Sequence, residues 1–187
     1  DLYGSPRLVP PLEELAGGER IERLRLMYTY PAFWTQEMVR FFAENPRACR
    51  YVDMPLQHIA DPVLARMKRA TTKAKTLKLL TWLRESILGV GIRSSFIVGF
   101  PGETEEQFEE LLSFVEETRF DNATCFMYSD EEGTTAFDLD GKHSEEIVAE
   151  RFRRFTELQD RVSAEINHGL VGTRQTMLVD GKEEEEG

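Results

Sequence analysis

An α/β fold built on a parallel sheet with crossover helices is predicted for this 187-residue sequence by three observations. Strand-like and helix-like segments alternate along the chain, the pattern of parallel strands joined by helices. The apolar run Ile92–Phe100 meets a Gly99-Phe100-Pro101-Gly102 turn, and an acidic helix start follows at once. The helix-like segments carry apolar stripes: Phe108, Leu111, Leu112 and Val115 repeat at i, i+3, i+4 and i+7.

Taken in order, Arg23–Tyr30 reads as the first strand, ended by Pro31. Thr35 opens a helix over Gln36–Glu44, which Asn45-Pro46 stops. Tyr51–Leu56 is a second, short strand interrupted by Pro55. Asp61 is expected as N-cap and Pro62 as first helical residue of an amphipathic helix to about Lys68. Another helix starts at Thr72 or Lys73 and runs to about Leu88, with Leu77, Leu80, Trp82, Leu83 and Ile87 on or near its apolar side. Ile92–Phe100 is the third strand and Glu105–Thr118 the next helix, with Thr104 as N-cap and Gln107 as its capping-box partner. Asn122–Tyr128 is the fourth strand, and the polar loop Ser129–Lys142 follows it. Ser144 with Glu145 and Glu146 opens a long charged helix to about Asn167. Leu170–Asp180 reads as the first strand of a further unit, and Lys182–Gly187 as a solvated charge run. A lone strand cannot be a domain, and four parallel strands make at most half of a barrel. Further strands are therefore expected both before Asp1 and after Gly187.

Composition narrows the function. A hydrophobic fraction of 41% with 12 Phe supports a packed core and argues against a disordered chain. No apolar run approaches the roughly 20 residues that span a bilayer. No signal peptide is visible, so a cytoplasmic location away from membranes is expected. The net charge of −11 argues against a broad nucleic-acid surface, which is basic. It suits a basic protein partner, because opposite potentials steer association; plain solubility explains it too. Cys49 and Cys125 are too few for a disulfide framework or a four-cysteine zinc site, and both read as small buried hydrophobes.

Candidate site residues follow from the alternation of side chains along strands. Asp53, Pro55 and Gln57 share one face of the second strand, and Phe126 and Tyr128 share one on the fourth. On the third, Arg93, Ser95, Ile97 and Gly99 share a face, with Ser94, Phe96 and Val98 on the other. A buried face bearing Asp53, Gln57 and Arg93 is costly unless these groups pair with each other or with a polar ligand. Such clustering marks a site; a structural Asp53–Arg93 ion pair is the competing explanation. Ligands of parallel α/β sheets bind at the carboxyl ends of the strands. That puts the Gly99–Gly102 turn beside a ligand, its small residues letting the ligand touch backbone; an ordinary tight turn is the alternative.

Glu103, Glu105 and Glu106 complement the dipole of the following helix. His58 is a general base or a loop histidine with a structural hydrogen bond. Arg66, Lys68, Arg69, Lys73 and Lys75 meet an anion or form a solvated helix face. Lys68, near the end of a charged helix, is a poor Schiff-base lysine. His143 and His168 read as surface residues. No HExxH, phosphate-loop or Walker motif occurs, so metalloprotease and nucleoside-triphosphatase functions lack support.

In this order the segments resemble the radical S-adenosylmethionine methylthiotransferases. The resemblance is carried by LRLMYTYP (24–31), YVDMPLQHIADPVLARMKR (51–69), IRSSFIVGFPGETEEQFEELLSFVEETRFD (92–121) and FMYSDEEGTTA (126–136). Residues 151–181 are similar to the linker helix and first strand of a TRAM domain. Within the family, MPLQH after Asp53 resembles the branch that modifies an aspartate of small-subunit ribosomal protein twelve. The transfer-RNA branch of the MiaB type favours Val-Gln-Ser-Gly-Ser there. Asp130 and Thr135 depart from the prolines usual in the loop after Tyr128.

The resemblance implies the C-terminal part of a radical SAM partial TIM-type barrel with its linker helix over residues 1–166, and the start of a β-rich TRAM domain over 167–187. It implies S-adenosylmethionine and [4Fe-4S] clusters as cofactors. One cluster is held by a CxxxCxxC motif that leaves an iron open for S-adenosylmethionine, whose reductive cleavage yields a 5′-deoxyadenosyl radical. A second cluster, in an N-terminal domain, is implicated in sulfur supply. Cys49 and Cys125 match no part of that motif, so no metal ligand is assigned in this chain, which is expected to be inactive by itself. Asp53, Pro55 and Gln57 are implied near ribose and substrate, and Ile97, Val98, Gly99, Phe100 and Pro101 along the adenosyl group. Arg93 is implied as partner of a carboxylate, and Phe126 and Tyr128 as closing the adenine side. The implied partners are the ribosomal protein substrate and an electron donor, with nucleic acid not expected as the main one. The alternatives are a transfer-RNA methylthiotransferase and a non-catalytic protein-binding half-barrel.

Overall fold

Three parallel strands in the order β1-β2-β3 organise residues 7–176, which the computed structural model describes. They are β1 (Tyr51–Asp53), β2 (Gly91–Val98) and β3 (Asn122–Met127). The register sets Asp53 beside Arg93, Arg93 beside Asn122, and Ile97 beside Phe126. Helices α1 (Val9–Gly17) and α2 (Gln36–Glu44) precede the sheet. Between β1 and β2 run α3 (Asp61–Arg66) and α4 (Lys73–Ser86); α5 (Glu105–Thr118) joins β2 to β3, and α6 (Glu145–Gly169) follows β3.

Local side-chain caps set the starts of α2, α4 and α5. The Thr35 and Thr72 hydroxyls accept from the Met38 and Lys75 amides, and Thr104 with Gln107 makes both bonds of the expected capping box. Asp61 differs from expectation. It is already helical, Ala60 holds the cap position, and the Asp61 carboxylate accepts instead from the Lys73 amide at 2.6 Å, at the start of α4. Ser144 makes no side-chain cap bond. Leu77 is exposed, because the buried side of α4 is set by Thr76, Leu80 and Leu83.

Arg23–Tyr30 is not a strand: its pairing is one parallel bridge, Leu24 with Ala48, and Tyr28 leaves the extended region at φ 56°. The second strand is shorter than expected, ending at Asp53. Helix α1 went unforeseen, although it buries Val9, Leu12 and Ala16 at helical spacing. Leu170–Thr173 forms turns after α6, not strand. The remainder of that expected strand and of the TRAM start lies in residues 177–187, outside the described residues.

The two faces of β2 differ. Ser94, Phe96 and Val98 are fully buried, with Phe96 ring-to-ring against Phe114, Phe120 and Phe155 of the α5–α6 layer. Arg93, Ser95 and Ile97 are only half-buried on the other face. The helix-covered face is the core, so the half-open face and the carboxyl edge are where chemistry can be placed.

At that edge Gly99 has φ +75°, and a Cβ there would lie 2.6 Å from Val148 Cγ2 of α6. Gly102 has φ +81°, and a Cβ would lie 2.9 Å from Arg66 Nε. The turn needs glycine because its own neighbours occupy the space. Gly99→Ala is therefore expected to lower stability by about 3 kcal/mol in urea unfolding, through the left-handed φ and overpacking together. Val148→Ala in the same chain should return the overpacking share and leave the φ cost.

Candidate functional site

The centre of the carboxyl edge is Glu103, 1% exposed, one residue before the cap of α5. Its Oε2 accepts from the Gly99 amide at 2.5 Å and from Arg151 Nη1 of α6 at 2.9 Å. Its Oε1 lies 3.1 Å from His58 Nε2. His58 Nδ1 accepts from the Ala60 amide at 3.0 Å, which assigns the ring proton to Nε2 and makes His58 the donor to Glu103. Arg151 also reaches the Glu103 carbonyl at 3.1 Å and Glu105 Oε2 at 3.3 Å. One buried carboxylate thus joins the β1–α3 loop, the β2–α5 turn and α6. His58 takes the structural role of its two readings, since both ring nitrogens are committed.

Beside this junction lies a cavity of about 330 Å³, walled by Gln57, Arg66, Met67, Arg69, Ile97 and Phe100, with Thr135 and Ala136 on the loop side. Gln57 reaches it through an irregularity in the sheet. From Asp53 to Gln57 is four steps, against three from Arg93 to its bridge partner Phe96. The extra residue is absorbed at Gln57, with φ 72°. The strict alternation expected for Asp53, Pro55 and Gln57 is broken there.

Arg66 and Arg69 are not a solvated face. Arg69 Nη2 donates to the Pro55 carbonyl at 3.1 Å and its guanidinium lies over the Tyr30 ring, while its buried Nε has no partner. Arg66 Nε donates to the Pro101 carbonyl at 2.9 Å, and Nη2 to the Asp140 carbonyl and carboxylate at 2.9 and 2.8 Å. The Gly102 amide donates to the Gly141 carbonyl at 2.8 Å. The loop after β3 is so fastened over the turn, with Phe100 edge-on to Tyr128 and Ala136 and Leu139 packed around them. An ion pair between Lys142 and Asp130 closes that loop at 2.7 Å and holds the Asp130 carboxyl below its ordinary range.

Of the residues singled out from sequence, Gln57, Ile97 and Phe100 share this cavity. Pro101 contributes its carbonyl to Arg66, and Gly99 its amide to Glu103. Val98 points fully buried into the helix layer. Asp53 and Arg93 pair at 3.1 Å farther down the open face, with Asp53 Oδ1 buried and unpartnered. Phe126 is exposed, and Tyr128 packs on Phe100. Glu103 and Arg151 were missed as a pair: they lie 48 residues apart, and Glu103 looked like one more helix-start acid. Among the described residues no group of three or more His, Cys, Asp or Glu is placed to hold a metal ion.

Glu103→Gln leaves the buried Arg151 with the half-exposed Glu105 as its one remaining counter-charge and should cost about 3 kcal/mol in urea unfolding. Burial, then the charge of Glu103, pushes the Cys125 thiol up to about 12. At pH 8 it should resist iodoacetamide in the folded chain and react only in denaturant, as peptide mass mapping will report.

A sequence model of the radical SAM superfamily matches residues 2–115. Over 185 residues the chain is 43% identical to the ribosomal protein uS12 methylthiotransferase RimO of Citrifermentans bemidjiense, covering 99% of this chain and 41% of that protein. To the RimO of Desulforamulus reducens it is 44% identical over 180 residues, 96% of this chain and 40% of that one. The chain thus spans about two fifths of the length of the curated relatives it matches. Among solved structures, coproporphyrinogen III oxidase HemN of Escherichia coli superposes with a TM-score of 0.64 at 17% identity, over 83% of this chain and 36% of that one. The radical S-adenosylmethionine methyltransferase TsrM of Kitasatospora setae follows at 0.52 and 21%, over 64% and 24%. On its sequence pattern and on its parallel sheet with crossover helices, the chain belongs to the radical SAM superfamily.

Proposed function

We propose that this chain forms the adenosyl-facing part of a methylthiotransferase that acts on an aspartate of ribosomal protein uS12. The observation that carries the cofactor assignment is the cavity at the carboxyl edge, where Arg69 offers an unpartnered buried Nε beside Gln57 and the apolar Ile97 and Phe100. That set fits S-adenosylmethionine: an amide for ribose hydroxyls, apolar walls for the purine, and a guanidinium for the carboxylate. When bound with an iron–sulfur cluster, the cofactor supplies radical hydrogen abstraction. The residues of this chain orient it and keep water from it. Glu103 and Arg66 fix the turn and the loop that make the walls. Cluster ligands are not among the described residues, so the adenosyl side alone is assigned here.

The substrate assignment is supported by the names of the relatives, which specify uS12, and by the net charge of −11 against a basic ribosomal protein. An electron donor and a cytoplasmic setting belong to the same proposal; no helix among the described residues is long and apolar enough to cross a membrane. Residues 1–166 are proposed as barrel and linker helix, with the TRAM domain starting at 167.

Ligand-observed NMR with S-adenosylhomocysteine tests the cavity. Arg69→Met should weaken binding by about ten- to a hundredfold, the loss of one hydrogen bond to a charged group. Unchanged affinity removes Arg69 from the site. For the substrate, a protein spanning the full length of the relatives should add a methylthio mass to uS12; the same adduct on transfer RNA and not on uS12 would sink the assignment.

A further inference from the structure

We propose that Tyr30 is the positioning residue for Arg69 and, through it, selects adenosyl ligands that carry a carboxylate. This rests on the adenosyl reading of the cavity above and names what orients its cation. The Arg69 guanidinium lies over the Tyr30 ring, its Cζ 4.8 Å from the centroid, and Nη2 donates to the Pro55 carbonyl at 3.1 Å. The ring fixes the guanidinium plane, and the carbonyl fixes its rotation within that plane. The Tyr30 hydroxyl accepts from the Ala70 amide at 3.2 Å, while the Arg69 amide donates to the Leu64 carbonyl at 2.9 Å. One tyrosine thus holds the arginine by its side chain and by the backbone next to it.

Tyr30 is itself anchored. The preceding Thr29 donates twice to the Asp53 carbonyl at the end of β1, from its amide and from its hydroxyl, each at 2.8 Å. Trp34 Nε1 donates to that hydroxyl at 3.2 Å, and the Phe33 ring packs on Tyr30 with 5.3 Å between centroids. The ring is therefore carried on the end of β1, the strand whose continuation supplies Pro55 and Gln57. A guanidinium that served packing alone would have its buried donors paired. Arg69 keeps a buried Nε unpartnered while its plane is fixed, on the wall of the cavity. A cation oriented in advance and short of one acceptor suits a carboxylate, because its ordering cost is met before the ligand arrives. An adenosyl ligand without a carboxylate gains nothing from that orientation.

The test is a double-mutant cycle on the 187-residue chain, read by ligand-observed NMR with two probes. S-adenosylhomocysteine carries the carboxylate, and 5′-methylthioadenosine lacks it. Tyr30→Leu should weaken S-adenosylhomocysteine about tenfold, as loss of a desolvated cation–π contact does. It should leave 5′-methylthioadenosine within about twofold of the parent, since no charged group is lost to that probe. Tyr30→Phe keeps the ring and should restore most of the S-adenosylhomocysteine affinity. Where Tyr30→Leu does not fold, Tyr30→Met fills the gap with an unbranched chain and takes its place. In the Arg69→Met background, removing the ring should cost nothing further, because the two residues act as one unit. Equal losses for both probes make Tyr30 a packing residue and overturn the proposal. So do additive losses in the cycle, or a folded chain without the ring that binds S-adenosylhomocysteine like the parent. If Arg69→Met itself leaves S-adenosylhomocysteine unchanged, the adenosyl reading of the cavity falls and takes the proposal with it. If Arg69→Met weakens binding and loss of the ring does not, the role of Tyr30 falls alone.

Discussion

The carboxylate of Glu103 lies out of water between three segments that the chain keeps far apart, and it accepts from each of them. A lone buried carboxylate is prohibitively costly; this one is tolerated because a backbone amide, an imidazole N–H and a guanidinium converge on it. The geometry is demanding in return. Gly99 must present its amide, so the strand must turn there, and the turn admits no Cβ because Val148 already fills the space. The arginine must come from the second turn of α6, so that helix must start where the loop after β3 releases it. The position of the Gly99 turn is a by-product of satisfying one charge.

This changes what the Gly-Phe-Pro-Gly run means. Glycines at a strand edge invite the idea of a ligand approaching backbone, yet both glycines here are contacted by the protein itself, Gly99 by Val148 and Gly102 by the Arg66 guanidinium. The cavity lies to the side, lined by Gln57, Arg69 and Ile97. The glycine turn shapes the wall, and longer side chains from neighbouring elements furnish it.

What was legible in the sequence was local or periodic. Thr35, Thr72 and Thr104 announce their helices because a cap and its amide lie three residues apart. The alternation in β2 predicts its two faces because the strand is paired on both sides. Arg23–Tyr30 has strand composition without strand pairing, since a strand is defined by its neighbour and residues 23–30 find one bridge. Arg66 and Arg69 look like surface cations because nothing in the segment 61–69 reveals that Pro101, Asp140 and Pro55 arrive to meet them. Glu103 with Arg151 is the extreme case, invisible to any window shorter than 48 residues.

Helix α6 is 25 residues without a break, about 37 Å at 1.5 Å per residue. Near its start it grips Glu103 through Arg151; near its end, Glu165 holds Arg119 at the corner that leads into β3. A continuous helix behaves as a stiff rod over that distance, so its ends are not mechanically independent. A load applied at the Gly169 end arrives as displacement of Val148 and Arg151, and hence of the Gly99 turn. The wall of the edge cavity is one end of a lever whose other end stands at the amino-terminal edge of the sheet.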